Sequence, residues 1–274
     1  MKKFQLPYGV QDYLPEECYN KELVEKKLTQ VFYSSGYEKV ETSALEYFDL
    51  FDGILPPSAI NKMFKMTDSD GSLLVLRPDT TLQICRMAAG ELKTGGIKRL
   101  YYSENSFEFL PDNSTARTRE FAQVGVELLG KTGVGGDVEI ILTAIEALKA
   151  AGLKDFLIDI GNLEYFNGLA EECGLGATDA KQITGYIDNK DILGLEIFLA
   201  SKGTEAKFRD ALLSLPTLFG KENVLARAKK LCSNKRSQKA VSDLEKVLSA
   251  VGECGLGEYV SVDLGRLCGN YYSG

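Results

Sequence analysis

The sequence predicts an α+β fold in which a mixed sheet domain is interrupted by a run of helices. Short stretches that alternate apolar and polar residues recur up to position 129, as expected for strands with one buried face. From about 163 to 256, apolar residues instead recur at helical spacing. Strand character returns at 259–263. We therefore predict one domain of residues 1–161 and 257–274, and a helical insertion of residues 162–256.

The composition excludes several kinds of chemistry. The 274-residue chain has no histidine, which removes Ser-His-Asp and Cys-His nucleophile systems and histidine-ligated zinc. No metal and no cofactor are expected. Its six cysteines show no Cys-x-x-Cys spacing, which is typical of reduced thiols in a cytoplasmic protein. The chain has no apolar run of membrane-spanning length and no apolar signal-peptide core, so we expect no membrane contact.

The first 110 residues are predicted to form short strands between two helices. Pro15 is suited to the first turn of the first helix, and Gly36 ends it. An Asp-Ser-Asp-Gly turn at 68–71 predicts a hairpin. The predicted elements are a helix at 15–35, a strand at 37–40, hairpin strands at 63–66 and 73–76, a helix from Pro78 to about 93, and strands at 97–103 and 107–110.

The region after Gly130 changes character. The Gly-Val-Gly-Gly at 133–136 lacks the Gly-Lys-Ser/Thr ending of a phosphate loop, so we interpret it as a turn before a helix at 137–152. A strand is predicted at 156–160. Residues 201–246 contain eleven basic and five acidic residues. A solvated helix face explains this excess better than a nucleic-acid face, since aromatic residues are not interleaved with it and the net charge of the chain is −7.

The stretch at 117–129 has the most informative pattern. From Arg119 it is predicted to be a strand, and its period of two places Gln123 and Glu127 on one face, roughly 13 Å apart along the strand. An amide and a carboxylate on one sheet face could bind the polar ends of a small ligand. Taken alone, the same pattern also fits an ordinary strand with one polar face.

Four motifs in order resemble one protein family. They are LPYGVQDYLPEE (6–17), VLRPDTT (75–81), RTREFAQVGVELLG (117–130) and NYYSG (270–274). Their order and spacing are similar to those of histidyl-tRNA synthetases and of the synthetase-like regulatory subunits of ATP phosphoribosyltransferase. The resemblance covers essentially the whole chain. It implies the class II synthetase fold, an antiparallel sheet flanked by helices, and a homodimer.

The resemblance also implies a histidine-binding pocket. Its residues here would be Asp79, Thr81, Gln123, Glu127, Tyr271 and Tyr272. A carboxylate at Asp79 suits an ammonium group, while Glu127 and a tyrosine hydroxyl can hold both imidazole nitrogens. Simpler interpretations remain open. Asp79 could cap its helix, and the paired tyrosines could be core or edge aromatics.

The residues needed for amino-acid activation do not match the family pattern. Class II synthetases place an arginine across the amino-acid carboxylate and the α-phosphate, and the matching position here is Glu108. A second family arginine matches Leu267. A charge pair in contact is worth about 4 kcal/mol at an effective dielectric near 20, and each ~1.4 kcal/mol changes a rate tenfold. Glu108 in place of the arginine turns attraction into repulsion. Adenylation should therefore be absent. Arg117 and Arg119 are the candidates for an alternative donor to the ligand's carboxylate.

The chain also stops at Gly274, before the third class II motif and the anticodon-reading domain, so the synthetase-like core is expected to be incomplete at this end. We therefore expect a non-catalytic regulatory subunit. Its expected partners are a short-form ATP phosphoribosyltransferase catalytic chain and histidine as effector, in a homodimer within a hetero-oligomer, with no tRNA. The alternatives are a working histidyl-tRNA synthetase and another synthetase-derived protein that binds an amino acid.

Overall fold

The computed structural model describes residues 4–90, 95–109 and 118–267, apart from the side chain at position 222. Contacts within the chain divide it into two units. The first contains Met1–Thr132 and Glu146–Leu153, and the second contains Gly133–Ile145 and Lys154–Gly274. The division differs from the predicted domain boundaries because strands near 158 and 260 pair with one another within the helical unit. The insertion at 162–256 stays a prediction.

The first unit begins with helix α1 (Pro15–Ser34). Pro15 occupies its first turn, and Glu17 accepts a hydrogen bond from the backbone N–H of Leu14 at 2.8 Å. Both features stabilise a helix N-terminus. Gly36 follows the helix with φ +83°, a conformation that favours glycine. The predicted helix is therefore confirmed at both ends.

Two three-stranded sheets are present in the described part of the first unit. In one, β1 (Glu38–Lys39) pairs in parallel with β5 (Lys98–Phe107), and β5 pairs antiparallel with β6 (Glu120–Leu129). In the other, β4 (Leu73–Leu76) lies between β2 (Leu45–Tyr47) and β3 (Lys65–Thr67), and both pairs are antiparallel. The hairpin predicted around the turn at 68–71 is confirmed.

Two predictions for this unit need correction. Residues 98–107 form one continuous strand, not two, because ten cross-strand pairs with β6 continue through the polar stretch at 103–106. Helix α3 (Thr81–Gly90) begins three residues after Pro78, because the side chain of Asp79 accepts a hydrogen bond from the N–H of Thr81 at 3.0 Å and caps the helix there.

The second unit is mainly helical. Helix α4 (Val134–Ala151), which is divided between the two units, begins inside the predicted Gly-Val-Gly-Gly turn, with Gly133 in the left-handed region. A mixed sheet places β9 (Val260–Asp263) between β7 (Ile158–Ile160), which is parallel to it, and β8 (Phe219–Gly220), which is antiparallel. The remaining helices are α2 (Pro57–Ile60) in the first unit and, in the second, α5 (Leu163–Glu172), α6 (Ala177–Asp188), α7 (Ile192–Ser201), α8 (Ala206–Ser214), α9 (Glu222–Leu231) and α10 (Lys235–Glu253).

The second unit has a large apolar core, in which α5 packs on α10 around Tyr165 and Leu169. Many lysines and arginines between 201 and 246 have acidic or polar partners, such as Arg236 with Glu164 at 2.5 Å. These contacts support the interpretation of this region as a solvated helix face. In the described part of the chain, no helix combines the length and apolar content needed to cross a membrane.

Candidate functional site

Strands β5 and β6 form the floor of the candidate site. Their register places Leu100 opposite Glu127, Tyr102 opposite Gly125, and Glu104 opposite Gln123. Residues directly opposite one another in an antiparallel pair share a face of the sheet. The strand predicted at 119–129 is therefore confirmed, with Gln123 and Glu127 on one face.

Tyr102 lies over Gly125, between the two predicted pocket residues. A Cβ atom at position 125 would be 2.6 Å from the Tyr102 hydroxyl oxygen, so only glycine leaves room for the ring. Burial raises the pKa of Tyr102, and the charges of Glu127, Asp79 and Glu104 raise it further. Tyr102 was not predicted as a site residue. The isolated glycine in strand β6 was the signal, since such a glycine often marks a close approach.

The start of α3 brings Thr81, and Asp79 just before the helix, to this sheet face. The Thr81 hydroxyl donates a hydrogen bond to Oε1 of Glu127 at 2.9 Å. Burial raises the pKa of Asp79. Burial also raises the pKa of Glu127, and the negative charge of Asp79 raises it further. Asp79 therefore combines the capping role with a position beside Glu127. Two half-buried carboxyl groups in one site favour a cationic ligand, whose charge would stabilise their ionised forms.

The orientation of Gln123 is fixed by a buried hydroxyl. Ser106, which is fully buried, donates a hydrogen bond to the side-chain oxygen of Gln123 at 2.7 Å. The bond uses the amide oxygen, so the NH₂ group of Gln123 is the part that can donate to a ligand. The structure thus brings four predicted residues, Asp79, Thr81, Gln123 and Glu127, to one side of the β5–β6 pair. In the described residues, no acidic or thiol cluster could hold a metal ion.

Glu108 occupies the position predicted for the activating arginine of synthetases, and it forms an ion pair with a lysine. Its Oε1 atom lies 2.9 Å from Nζ of Lys62. Its backbone N–H bonds to the carbonyl of Arg119 at 2.9 Å, which continues the β5–β6 register by one pair. The Arg119 guanidinium stacks over two aromatic rings. Its Cζ atom lies 5.1 Å from the centroid of the Tyr8 ring and 5.0 Å from that of the Phe109 ring. The charge at position 108 is therefore reversed relative to the synthetase arginine and balanced by Lys62.

Other predicted positions lie elsewhere. Leu267 is 3% exposed and packs in the apolar core of the second unit. This position therefore offers no positive charge to a ligand. Tyr271 and Tyr272 lie outside the described residues, as does Arg117.

Comparison with known proteins decides the family. The sequence model of the family described as "Histidyl-tRNA synthetase" matches residues 9–274. The chain belongs to the histidyl-tRNA synthetase family. This confirms the resemblance that the four motifs indicated.

Within the histidyl-tRNA synthetase family, similar proteins are named as regulatory subunits. The "ATP phosphoribosyltransferase regulatory subunit" of Acetivibrio thermocellus is 40% identical over 277 residues, which cover 99% of this chain and 65% of that protein. The protein of the same name from Ruminiclostridium cellulolyticum is 41% identical, with 97% of this chain and 63% of that protein covered. The chain therefore spans less than two thirds of the length of these two relatives.

A solved structure supports the same conclusion. The crystal structure of "an ATP phosphoribosyltransferase regulatory subunit/histidyl-tRNA synthetase" from Bacillus halodurans has a TM-score of 0.91 and 30% sequence identity, and the match covers 99% of this chain and 71% of that chain. The class II synthetase-like α+β fold is thereby confirmed.

Proposed function

We propose that this chain acts in the cytoplasm as a regulatory subunit of ATP phosphoribosyltransferase, or as part of one. In this role it activates a short-form catalytic chain and mediates feedback by histidine in the first step of histidine biosynthesis. One observation carries the proposal. The four pocket residues are retained around β5 and β6, while the activating arginine is replaced by Glu108, paired with Lys62 at 2.9 Å. The names of the relatives support the same role.

The pocket suits histidine as effector. Asp79 would receive the ammonium group, and Glu127 would receive an imidazole N–H. The raised pKa values of both carboxyl groups indicate that a bound cation would stabilise their ionised forms. Gln123 would donate through its NH₂ group. Tyr271 and Tyr272 stay predicted members of this pocket.

Adenylation would not occur at this site. Activation brings two anions together, the amino-acid carboxylate and the α-phosphate, and a synthetase arginine offers a fixed positive charge to both. The Lys62–Glu108 pair carries no net charge. A working histidyl-tRNA synthetase is therefore the weaker alternative, and it would reveal itself by histidine-dependent exchange of pyrophosphate into ATP. Another synthetase-derived amino-acid-binding protein is the remaining alternative, and its partner would not be a phosphoribosyltransferase.

One sheet face supports self-association into a homodimer. On the β2–β4–β3 sheet, Leu45 pairs with Leu76, while Tyr47 and Met66 both pair with Leu74. These side chains share one face, because they lie at paired positions or two residues apart. Leu45, Tyr47 and Met66 are 44%, 56% and 37% exposed. An apolar sheet face of this kind favours burial against a second copy of the chain.

The test is to measure phosphoribosyl-ATP formation by the catalytic chain of the same organism with and without this protein. The proposal expects activation in proportion to complex formation, and no histidine-dependent pyrophosphate exchange by the regulatory chain alone. Exchange activity would favour the synthetase. A complex that forms without activation would contradict the regulatory role.

A further inference from the structure

A buried ion pair lies next to the pocket but was not among the predicted site residues. Nη1 of Arg77 is 2.9 Å from Oε2 of Glu104, and the two side chains are 9% and 5% exposed. Charged side chains buried to this extent are unfavourable unless they are both paired and hydrogen-bonded.

The hydrogen bonds around this pair are numerous. Arg77 donates from Nε to the carbonyl of Asn105 at 2.6 Å and from Nη1 to the carbonyl of Thr42 at 2.8 Å. Glu104 accepts from the backbone N–H of Thr42 at 2.5 Å and from its hydroxyl at 2.9 Å. The backbone of Arg77 is also fixed. Its N–H donates a hydrogen bond to the carbonyl of Ala44, and its carbonyl accepts one from the N–H of Phe107. The pair therefore joins the two sheets of the first unit.

Two contacts connect this pair to the pocket. The fully buried Thr80 donates from its hydroxyl to Oε2 of Glu104 at 3.3 Å, and Thr80 lies between the pocket residues Asp79 and Thr81. Glu104 is also directly opposite Gln123 in the β5–β6 register. The same carboxylate thus contacts the segment that carries one half of the pocket and adjoins the strand that carries the other half.

We propose that Arg77, Glu104 and Thr80 are positioning residues, which hold the first turn of α3 over strand β6 and thereby set the geometry of the effector pocket. This inference rests on the proposed function, because the pocket that these residues position is the proposed histidine pocket. A buried ion pair generally gives little net stability over well-packed apolar residues of similar size. An orienting role explains its presence here, because its charges and hydrogen bonds fix one relative arrangement of segments 42–44, 77–81 and 104–107.

The first test removes one link and restores it. Thr80→Val deletes the hydroxyl with little change of shape, and Thr80→Ser keeps it. We expect Thr80→Val to raise the histidine concentration for half-maximal inhibition of the complex at least threefold, with maximal activation unchanged, and Thr80→Ser to restore the wild-type value. Thr143→Val is the matched control, since Thr143 is also buried and bonds only within its own helix among the contacts described. Equal histidine responses in Thr80→Val and wild type would overturn the proposal.

The second test removes the charges together. The double variant Arg77→Met/Glu104→Leu leaves no unpaired charge. Because backbone groups of Thr42 and Asn105 lose hydrogen bonds, we expect a lower thermal midpoint than wild type, in a protein that still folds and activates the catalytic chain. Its histidine concentration for half-maximal inhibition should rise at least tenfold. A merely structural pair would leave this concentration unchanged, and a change of less than twofold in the folded double variant would overturn the proposal.

A third measurement needs neither histidine nor the catalytic chain. Cys85 is exposed on α3, and its thiol pKa is raised by partial burial and by the charges of Glu127 and Asp79. If the positioning residues hold these carboxyl groups in place, the pH profile of Cys85 alkylation by iodoacetamide, followed by mass spectrometry, should shift in Thr80→Val and in the double variant but not in Thr143→Val. Identical profiles in all proteins would overturn the proposal. A shifted profile in a protein that ignores histidine would reject the effector and support the positioning role.

Discussion

The hydroxyl of Thr81 donates a 2.9 Å hydrogen bond to Oε1 of Glu127, and this bond joins the first turn of helix α3 to strand β6. The two residues are 46 positions apart in sequence, yet they define one side of the candidate pocket. The bond orients the carboxyl group of Glu127, while burial and, to a lesser extent, the charge of nearby Asp79 raise its pKa and make its ionisation less favourable. The pocket is therefore prepared for a ligand that brings positive charge.

Glu127→Gln should weaken histidine binding without unfolding the protein. A hydrogen bond to a charged group is worth about 1.5–3 kcal/mol, so the dissociation constant should rise by roughly 10- to 100-fold. Isothermal titration calorimetry measures the change. Glu120→Gln is the matched control, because Glu120 is exposed on the opposite face of the same strand. Unchanged histidine affinity and inhibition in Glu127→Gln would reject the pocket assignment.

The same substitution should alter the pH dependence of stability. Because the pKa of Glu127 is raised, the folded protein binds this proton more tightly than the unfolded chain does. The contribution of Glu127 to the free energy of unfolding is thus most favourable when the pH is below the ordinary glutamate pKa of 4.5. This contribution declines as the pH rises through the raised pKa of the folded state.

Glu127→Gln removes this decline, so the free energy of unfolding of the variant minus that of wild type should increase with pH. Urea unfolding from about pH 4 to about pH 7 covers the window. A difference that decreases with pH would mean that Glu127 is stabilised in its ionised form by a partner, contrary to the present account.

Gly125→Ala should destabilise the protein and disturb the pocket. The added Cβ would lie 2.6 Å from the Tyr102 hydroxyl oxygen, and overpacking of this kind costs about 1–3 kcal/mol. Thermal unfolding should show a lower midpoint, and histidine affinity should fall because Tyr102 must move. Gly185→Ala is the control. Gly185 lies in helix α6, and a Cβ atom added there would meet nothing beyond its own helix within 4 Å, so the midpoint should stay or rise. Equal midpoints for Gly125→Ala and wild type would show that Tyr102 moves without penalty.

Tyr47→Lys should weaken self-association. The substitution places a charge on the apolar face of the β2–β4–β3 sheet, where Tyr47 is 56% exposed. Burying that charge against a second copy is unfavourable, so sedimentation equilibrium should show a larger monomer fraction at equal concentration. Leu193→Lys, at a 68% exposed apolar position of α7, is the control and should not change the monomer fraction. If only Leu193→Lys produced monomers, the interface would belong to the helical unit instead.

Some features of the site could be predicted from local sequence, and others could not. The period of two in strand β6 was sufficient to place Gln123 and Glu127 on one face. The position of Tyr102 required the register between β5 and β6, which depends on contacts between distant segments. For the same reason, the division of the described strands into three separate sheets could not be derived from the strands themselves.

The buried pair of Arg77 and Glu104 shows why strand β5 was predicted in two pieces. Polar residues at 103–106 interrupt its apolar pattern and suggest a break. In the structure the strand continues, because Glu104 is paired with Arg77 and Ser106 bonds to Gln123. Tertiary partners outside the segment satisfied these polar groups. Helix α3 was predicted too early because Pro78 is a favourable first residue, whereas the Asp79 cap determines the observed start.

The most direct test of the central claim is a histidine titration of phosphoribosyl-ATP formation by the reconstituted complex, with wild-type regulatory chain and with Glu127→Gln. The account predicts that histidine reverses the activation by the wild-type chain, and that the Glu127→Gln complex stays active at histidine concentrations that inhibit the wild type. Activation that histidine leaves unchanged, or inhibition that is identical in the two complexes, would contradict it.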